Sequence, residues 1–224
     1  MPLVRQVVHG LLEQHGLTTI FGNPGSNELP FLADLPDSFD YVLGLHEGVV
    51  LGMADGYAQA TGRPAFVNLH AASGSGNAMG AMTNAVYART PLIVTAGQQV
   101  RSVIGMEGML SSVDAASLMR PLARWAAEPA SAGDVPRAFA QAIFEATAHR
   151  APVYLSIPYD DWDTEVDHNA ELVVTRSVST ARTPSDEQLR WLSDAVTGAQ
   201  RPLLVLGGDV DSQGHFERAI RTAE

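Results

Sequence analysis

The 224-residue sequence contains no cysteine and no lysine, and each absence excludes a class of chemistry. Without cysteine there can be no disulfide, no thiolate metal site and no cysteine nucleophile. Without lysine there is no Schiff-base residue for ordinary pyridoxal-phosphate chemistry and no phosphate-binding lysine of the Walker type. The 14 basic residues are all arginine, and 25 acidic residues bring the net charge to −11. This balance disfavours nucleic acid and anionic membranes as partners.

Long apolar runs are also missing from the sequence. No stretch approaches the ~18 residues of a membrane-spanning helix. Residues 3–16 place apolar side chains at helical spacing but carry polar ones between them, which predicts an amphipathic helix rather than a signal peptide. We therefore expect a soluble, cytoplasmic protein without a membrane partner.

Apolar strand patterns and helical patterns alternate through the first half of the chain, with short connections. The predicted strands lie at residues 18–21, 41–45, 65–69 and 91–96. This alternation predicts an α/β fold with an open, mainly parallel sheet and helices on both faces. Ligands bind such sheets beyond the carboxyl ends of the strands. The polar residues that follow the predicted strand ends are Ser26, Glu47, His70 and Gln98.

The second half of the chain suggests a domain boundary. A helix at 134–149 and a strand at 152–157 extend the first domain, which we place at residues 1–165. The polar, Ser/Thr-rich residues that follow predict a linker at 166–182. A helix to residue 198, a strand at 201–208 and a further helix then begin a second α/β domain at 183–224. About forty residues cannot close a core alone, so we expect the N-terminal part of a longer protein.

Glu47 lies between the apolar segment 41–45 and a helix of small and apolar residues, so both elements are expected to be buried. A buried carboxylate costs several kcal/mol unless it has a partner, and no lysine is available. Two interpretations remain open. Glu47 either caps its helix through the macrodipole or binds a ligand.

His70 and Ser26 allow similar alternatives. His70 precedes a small-residue turn at 71–76, where a histidine is commonly structural, but backbone N–H groups near Gly74 could receive an anion or a polar ring edge. The turn is not a dinucleotide fingerprint, because the third glycine position is occupied by Met79. Ser26 is either the cap of a helix at 27–34 or a site residue.

Several motifs carry a family resemblance. They are Phe21-Gly-Asn-Pro-Gly-Ser-Asn-Glu-Leu-Pro-Phe31, Glu47 with Ala54-Asp-Gly-Tyr-Ala58, Asn68-Leu-His70, Gly76-Asn-Ala-Met-Gly80 and Pro158-Tyr-Asp-Asp-Trp162. With matched spacing across the whole chain, the sequence resembles the thiamine-diphosphate-dependent 2-oxo-acid decarboxylases, and among them the benzoylformate decarboxylase branch.

The resemblance implies a domain plan and an assembly. Residues 1–165 would be the pyrimidine-binding domain, and residues 183–224 would begin the central domain. The domain that binds the diphosphate and Mg²⁺ (or Ca²⁺) would lie outside these residues. The family's active site forms between subunits of a homo-oligomer, a dimer of dimers, so the segment alone would be inactive.

The resemblance also implies roles for individual residues in the decarboxylation of an aromatic 2-oxo acid, such as benzoylformate to benzaldehyde and carbon dioxide. Glu47 would hydrogen-bond a ring nitrogen of thiamine diphosphate, Ser26 would orient the substrate carboxylate, and His70 would carry a proton. The residues implied to line the pyrimidine pocket are Pro24, Gly25 and Asn77. An accessory cation would be held at Ser117, Leu118 and Arg120.

Two alternatives remain open at this point. The nearest is another thiamine-diphosphate enzyme, either a different 2-oxo-acid decarboxylase or a synthase of acetolactate type, against which Ser26 and His70 argue. The other is a non-catalytic α/β binding or assembly domain.

Overall fold

The computed structural model describes residues 1–167, 173–176, 178, 183–211 and 215–224. The chain divides into two compact units, Met1–Val178 and Ser179–Glu224. The domain limits expected from the sequence, at 165 and 183, stay predictions. Most of the linker expected at 166–182 lies outside the described residues, namely 168–172, 177 and 179–182.

A parallel six-stranded sheet forms the centre of the first unit. Its strands are β1 Thr19–Gly22, β2 Asp40–Leu43, β3 Ala65–Leu69, β4 Leu92–Gln98, β5 Ala126–Ala127 and β6 Val153–Pro158. Their spatial order is β2-β1-β3-β4-β6-β5, and every neighbouring pair is parallel. The predicted parallel α/β sheet is therefore confirmed, while the short β5 was not expected from the sequence.

Helices cover both faces of this sheet. The helices of the first unit are α1 Val4–Gln14, α2 Leu29–Leu32, α3 Glu47–Thr61, α4 Ala71–Tyr87, α5 Arg101–Ile104, α6 Ala115–Met119 and α7 Val135–His149. On one face, α1 and α7 pack against side chains such as Phe66 of β3. On the other, α3 and α4 pack against its neighbour Val67, because successive strand residues point to opposite faces. The predicted helices on both faces are also confirmed.

Two expectations near Glu47 and His70 are wrong in detail. The segment 41–45 is not a buried strand: β2 is at the sheet edge, where it pairs only with β1, and Leu43 and Leu45 are exposed. The segment 71–76 is not a turn, because α4 already begins at Ala71. The N–H of Gly74 donates to the carbonyl of His70 at 2.7 Å, so it is not free to receive an anion.

The second unit contains α8 Asp186–Gly198 and α9 His215–Ala223, with a short 3₁₀ turn at Gly208–Asp211. Ser185 begins α8 with a capping box, in which its hydroxyl accepts from the N–H of Gln188. The strand predicted at 201–208 does not form, and its apolar side chains are exposed. A strand needs a neighbouring strand to pair with, and none is present among the described residues of this unit. Across all the described ranges, no helix has the length and apolar character needed to span a bilayer.

Candidate active site

The turn that follows β1 is the point where the candidate site residues meet. Asn23 in this turn donates from Nδ2 to Oε1 of Glu47 at 3.1 Å. Two residues later, Gly25 lies so close to His70 that a Cβ at this position would overlap the imidazole ring. Glu47 and His70 therefore flank one turn, because the strands that precede them, β2 and β3, lie on either side of β1.

Glu47 is the first residue of α3, and only 6% of its surface is exposed. Its second oxygen, Oε2, accepts from Nδ2 of Asn77 at 2.9 Å. The side-chain cap of α3 is provided by His46, whose Nδ1 accepts from the N–H of Gly48 at 3.0 Å. Glu47 is thus not the capping side chain, and two asparagine amides hold it in place.

These contacts determine the charge of Glu47. Burial raises the pKa of its carboxyl, but the hydrogen bonds from Asn77, the backbone and Asn23 together lower it below the ordinary value. The group is therefore ionised at neutral pH. Each carboxylate oxygen has two lone pairs, and the two amides leave acceptor capacity on both. The site therefore fits a ring nitrogen that carries a proton and donates it to Glu47, as in the imino tautomer of the aminopyrimidine of thiamine diphosphate.

His70 is paired with a second buried carboxylate. Its Nδ1 lies 2.8 Å from Oε2 of Glu28. Because a carboxylate only accepts hydrogen bonds, Nδ1 carries the proton and Nε2 is left as the free nitrogen. The side chain of His70 is 25% exposed, so this free nitrogen belongs to an accessible imidazole.

Glu28 was not identified as a site residue from the sequence. Besides His70, its carboxylate accepts from the backbone N–H groups of Gly25 at 2.8 Å, Ala71 at 3.0 Å and Gly97 at 2.8 Å. Four donors from three parts of the chain thus replace water around one buried charge. The sequence signals were its place in the motif Phe21–Phe31 and an acidic residue before an apolar segment, which also describes an ordinary helix start.

The backbone at Ala71 and Gly97 comes close enough to the Glu28 carboxylate to donate hydrogen bonds to it. Ala71 has a φ of 45°, a left-handed conformation that costs about 1–3 kcal/mol in a residue other than glycine. Its N–H is one of the four donors to Glu28. A Cβ on Gly97 would overlap the Glu28 carboxylate, so glycine is needed for the close approach of β4.

Ser26 and Gln98 do not share these contacts. Ser26 is exposed at the end of the turn, and its hydroxyl is 3.4 Å from Oδ1 of Asn27. The expected capping role is wrong, because α2 begins only at Leu29 and has no side-chain cap. Gln98 is fully buried and donates instead to the carbonyl of Ser112 at 2.7 Å. Ser26 is therefore available to a ligand, whereas Gln98 fixes a neighbouring loop.

The remaining expected residues lie at two places. Pro24 is part of the turn itself, next to Gly25. Ser117 and Leu118 belong to α6, and Arg120 is its C-terminal cap residue. The described residues contain no group of three or more His, Cys, Asp or Glu side chains that could hold a metal. The accessory cation site would depend on carbonyls at a helix end, which lack partners within the helix, and it stays a prediction.

Comparison with known proteins gives consistent matches. The family model described as thiamine pyrophosphate enzyme, N-terminal TPP binding domain, matches residues 3–118. A benzoylformate decarboxylase of Pseudomonas aeruginosa is 56% identical over 225 residues, which cover 100% of this chain and 43% of the relative.

Two solved structures are similar in fold. The thiamine diphosphate-dependent 4-hydroxybenzoylformate decarboxylase of Rhodococcus jostii RHA1 has a TM-score of 0.96 and 54% identity, covering 100% of this chain and 42% of that one. Benzoylformate decarboxylase from Polynucleobacter necessarius has a TM-score of 0.86 and 40% identity, covering 94% of this chain and 39% of that one.

The chain spans less than half the length of these relatives. The family match, at 3–118, includes the turn after β1, Glu47, His70 and Asn77. It extends over more than half of the 224 residues and over the first four strands of the sheet. From this match and the shared fold, the chain belongs to the thiamine pyrophosphate enzymes and carries their N-terminal cofactor-binding domain.

Proposed function

We propose that this chain forms the pyrimidine-binding part of an enzyme that decarboxylates an aromatic 2-oxo acid, such as benzoylformate, with thiamine diphosphate as cofactor. The observation that carries the proposal is the ionised Glu47, held by two amides beside the same turn that His70 contacts. The relatives support the choice of reaction, because those compared above are named as decarboxylases of benzoylformate or its 4-hydroxy derivative.

Glu47 has the properties needed to hold the aminopyrimidine ring. Its carboxylate would accept a hydrogen bond from the ring nitrogen of the imino tautomer, in which that nitrogen carries a proton, while Asn23 and Asn77 keep the carboxylate in position. Burial excludes water from this contact and so strengthens it. When bound, thiamine diphosphate supplies the electron sink for the pair released from the breaking carbon–carbon bond.

Ser26 and His70 would act on the substrate. The exposed hydroxyl of Ser26 can donate to the carboxylate of the 2-oxo acid and orient it. The product aldehyde has a hydrogen where the substrate had its carboxylate, and Nε2 of His70 would deliver it as a proton. Glu28 fixes the tautomer that leaves Nε2 free. Imidazole exchanges protons readily near neutral pH, which suits this role.

The whole enzyme extends beyond this chain in the proposal. The diphosphate would be bound with Mg²⁺ (or Ca²⁺) by a further domain, and the subunits would form a homotetramer in the cytoplasm. The support is the family resemblance and the length of the relatives, of which this chain covers 43% in the Pseudomonas protein.

The test uses the protein in its complete form. Glu47→Gln is expected to lower benzoylformate decarboxylation by orders of magnitude, because an amide cannot replace the buried anion. Glu187→Gln is the matched control, since Glu187 is exposed in the first turn of α8. Ser26→Ala should raise the KM for the 2-oxo acid. Near-normal decarboxylation by Glu47→Gln would contradict the assignment.

Two further measurements separate the alternatives. Carbon dioxide release from a panel of aryl and alkyl 2-oxo acids distinguishes a benzoylformate decarboxylase from its neighbours in the family. Isothermal titration with thiamine diphosphate and Mg²⁺ tests the cofactor. A complete protein that binds neither would instead be a non-catalytic α/β binding domain.

A further inference from the structure

A small cavity with polar and apolar walls lies beside Glu28. Its polar walls are Asn27, Glu28, Asn68 and Thr95, and its apolar walls include Phe31 and Trp162. The space that the centre of a water molecule could occupy is about 10 Å³. One water needs roughly 10–15 Å³ by this measure, so the cavity admits a single water and no larger ligand.

Two buried polar atoms belonging to cavity-lining residues lack a partner among the described residues. They are Nδ2 of Asn27 and Oδ1 of Asn68, in residues that are 2% and 3% exposed. A buried polar atom without a hydrogen bond is costly, which makes two of them beside one cavity informative.

The hydrogen bonds of Thr95 determine the orientation of the Asn68 amide, and so which of its two polar atoms faces away from Thr95. The Thr95 hydroxyl has one proton, which it donates to the carbonyl of Val67 at 3.0 Å. Its oxygen must therefore accept from Asn68, whose Nδ2 lies 3.2 Å away. The remaining amide atom of Asn68 is the acceptor Oδ1. Asn27 offers the complementary donor, because the atom of its amide that lacks a partner among the described residues is Nδ2.

We propose that this cavity is a binding site for one water molecule, which donates to Oδ1 of Asn68 and accepts from Nδ2 of Asn27. The water links β3 to the segment that carries Ser26 and Glu28. It thereby positions the turn that contacts His70. This consequence for the turn rests on the proposed function, whereas the water site itself does not.

The direct test is a high-resolution crystal structure of the complete protein. The expected result is a density peak within hydrogen-bond distance of both Asn27 Nδ2 and Asn68 Oδ1. A cavity without density, or an asparagine rotamer in which both atoms bond to protein groups, would overturn the water site.

Asn27→Leu gives an independent test in solution, because the two possibilities predict opposite signs. If the site holds water, leucine removes a ligand of that water and lowers the melting temperature by a few degrees. If the site is dry, leucine removes an unpaired buried donor and raises the melting temperature. Asn84→Leu, at an exposed position of α4, is the matched control.

Kinetics test the positioning role separately. Asn27→Leu should raise the KM of the 2-oxo acid more than it changes kcat, because it loosens the segment that carries Ser26. If the crystal shows the water but Asn27→Leu leaves the KM unchanged, the positioning role is overturned while the water site itself stands. A water seen while Glu47→Gln remains fully active would mean that the proposed function, not the water site, has failed.

Discussion

At the scale of single residues, the close contact between Gly25 and His70 leaves no space for a side chain at position 25. Gly25→Ala in the complete enzyme would force the imidazole away from Glu28, because the new Cβ needs the space of the ring. Misplacing a reacting group by about 1 Å can cost on the order of 10²-fold in rate. We expect kcat for benzoylformate to fall by about this factor. The circular dichroism spectrum should stay that of the wild type, because the fold is retained.

Gly10→Ala is the control for this substitution. Gly10 lies within α1, and a Cβ there would make only an ordinary contact with Val174, at 3.9 Å. Alanine favours a helix over glycine, so stability should be unchanged or higher by up to about 1 kcal/mol. Equal activity in the Gly25 and Gly10 variants would show that the position of His70 does not matter.

The lowered pKa of Glu47 gives a pH-dependent prediction. A carboxyl whose pKa is lower in the folded than in the unfolded state stabilises the fold above its unfolded pKa, and this contribution is lost as the pH falls through its folded pKa. The stability advantage of the wild type over Glu47→Gln should therefore be present at neutral pH and disappear in acid. Once protonated, Glu47 resembles glutamine in turning a donor toward Asn23 or Asn77.

Urea unfolding of the two complete proteins, measured from neutral to acidic pH, tests this dependence. The difference between them isolates Glu47, since all other carboxyls are common to both. A difference that stayed constant or grew as the pH fell would contradict the assigned charge state.

Residue-scale prediction from the sequence reached only part of this site. Glu47 and His70 could be identified because each follows a strand in a parallel sheet, and the family motif included them. Glu28 also lies within a quoted motif, Phe21–Phe31, but its role could not be predicted, because its four donors lie at positions 25, 70, 71 and 97 and converge only in the folded chain. Asn23 was missed as a partner of Glu47 for the same reason.

At element scale, Arg101 joins the loops that follow three strands. Its guanidinium donates to both oxygens of the buried Asp161, from Nε at 2.8 Å and Nη2 at 2.6 Å. It also donates to the carbonyls of Pro129 at 2.8 Å and Ala130 at 3.2 Å. These residues follow β4, β6 and β5, so one side chain ties that end of the sheet together.

Arg101→Ala should therefore destabilise the domain strongly. Asp161 would remain as a buried carboxylate without its charge partner, which costs about 3–5 kcal/mol. Arg137→Ala removes an arginine from an exposed pair with Asp134 on the same unit, where a loss below about 1 kcal/mol is expected. The check is the free energy of unfolding in urea, and similar losses for the two variants would contradict the role of Arg101.

The strands show which features of an element can be predicted from its own residues and which depend on its neighbours. β3 was predicted at residues 65–69 and forms there, because both of its faces are buried and its residues are nearly all apolar. The burial of β2 was overestimated, since a strand's place at the edge of a sheet is not written in its own residues. The strand at 201–208 matched the same pattern but lacks a partner strand among the described residues.

At the scale of the whole molecule, the proposed function uses the first unit as the pyrimidine side of a site, and its described residues hold no group of three or more His, Cys, Asp or Glu side chains that could bind a metal. We propose that the other side comes from a second subunit. This arrangement predicts that two inactive variants can restore activity when their chains are mixed. Glu47→Gln chains and chains with a disabled diphosphate-binding domain should each be inactive alone, yet regain activity when unfolded, mixed and refolded together.

The expected recovery follows from symmetry. Random pairing makes half of the dimers hybrid, and one of the two sites in each hybrid combines an intact Glu47 with an intact diphosphate domain. About a quarter of the sites should therefore be active in an equal mixture. The measurement is benzoylformate decarboxylation by the mixture against wild type refolded in the same way, with size-exclusion chromatography and light scattering to confirm the oligomer. Refolded oligomers without activity would mean that each site is built from one chain, because then no hybrid contains an intact site.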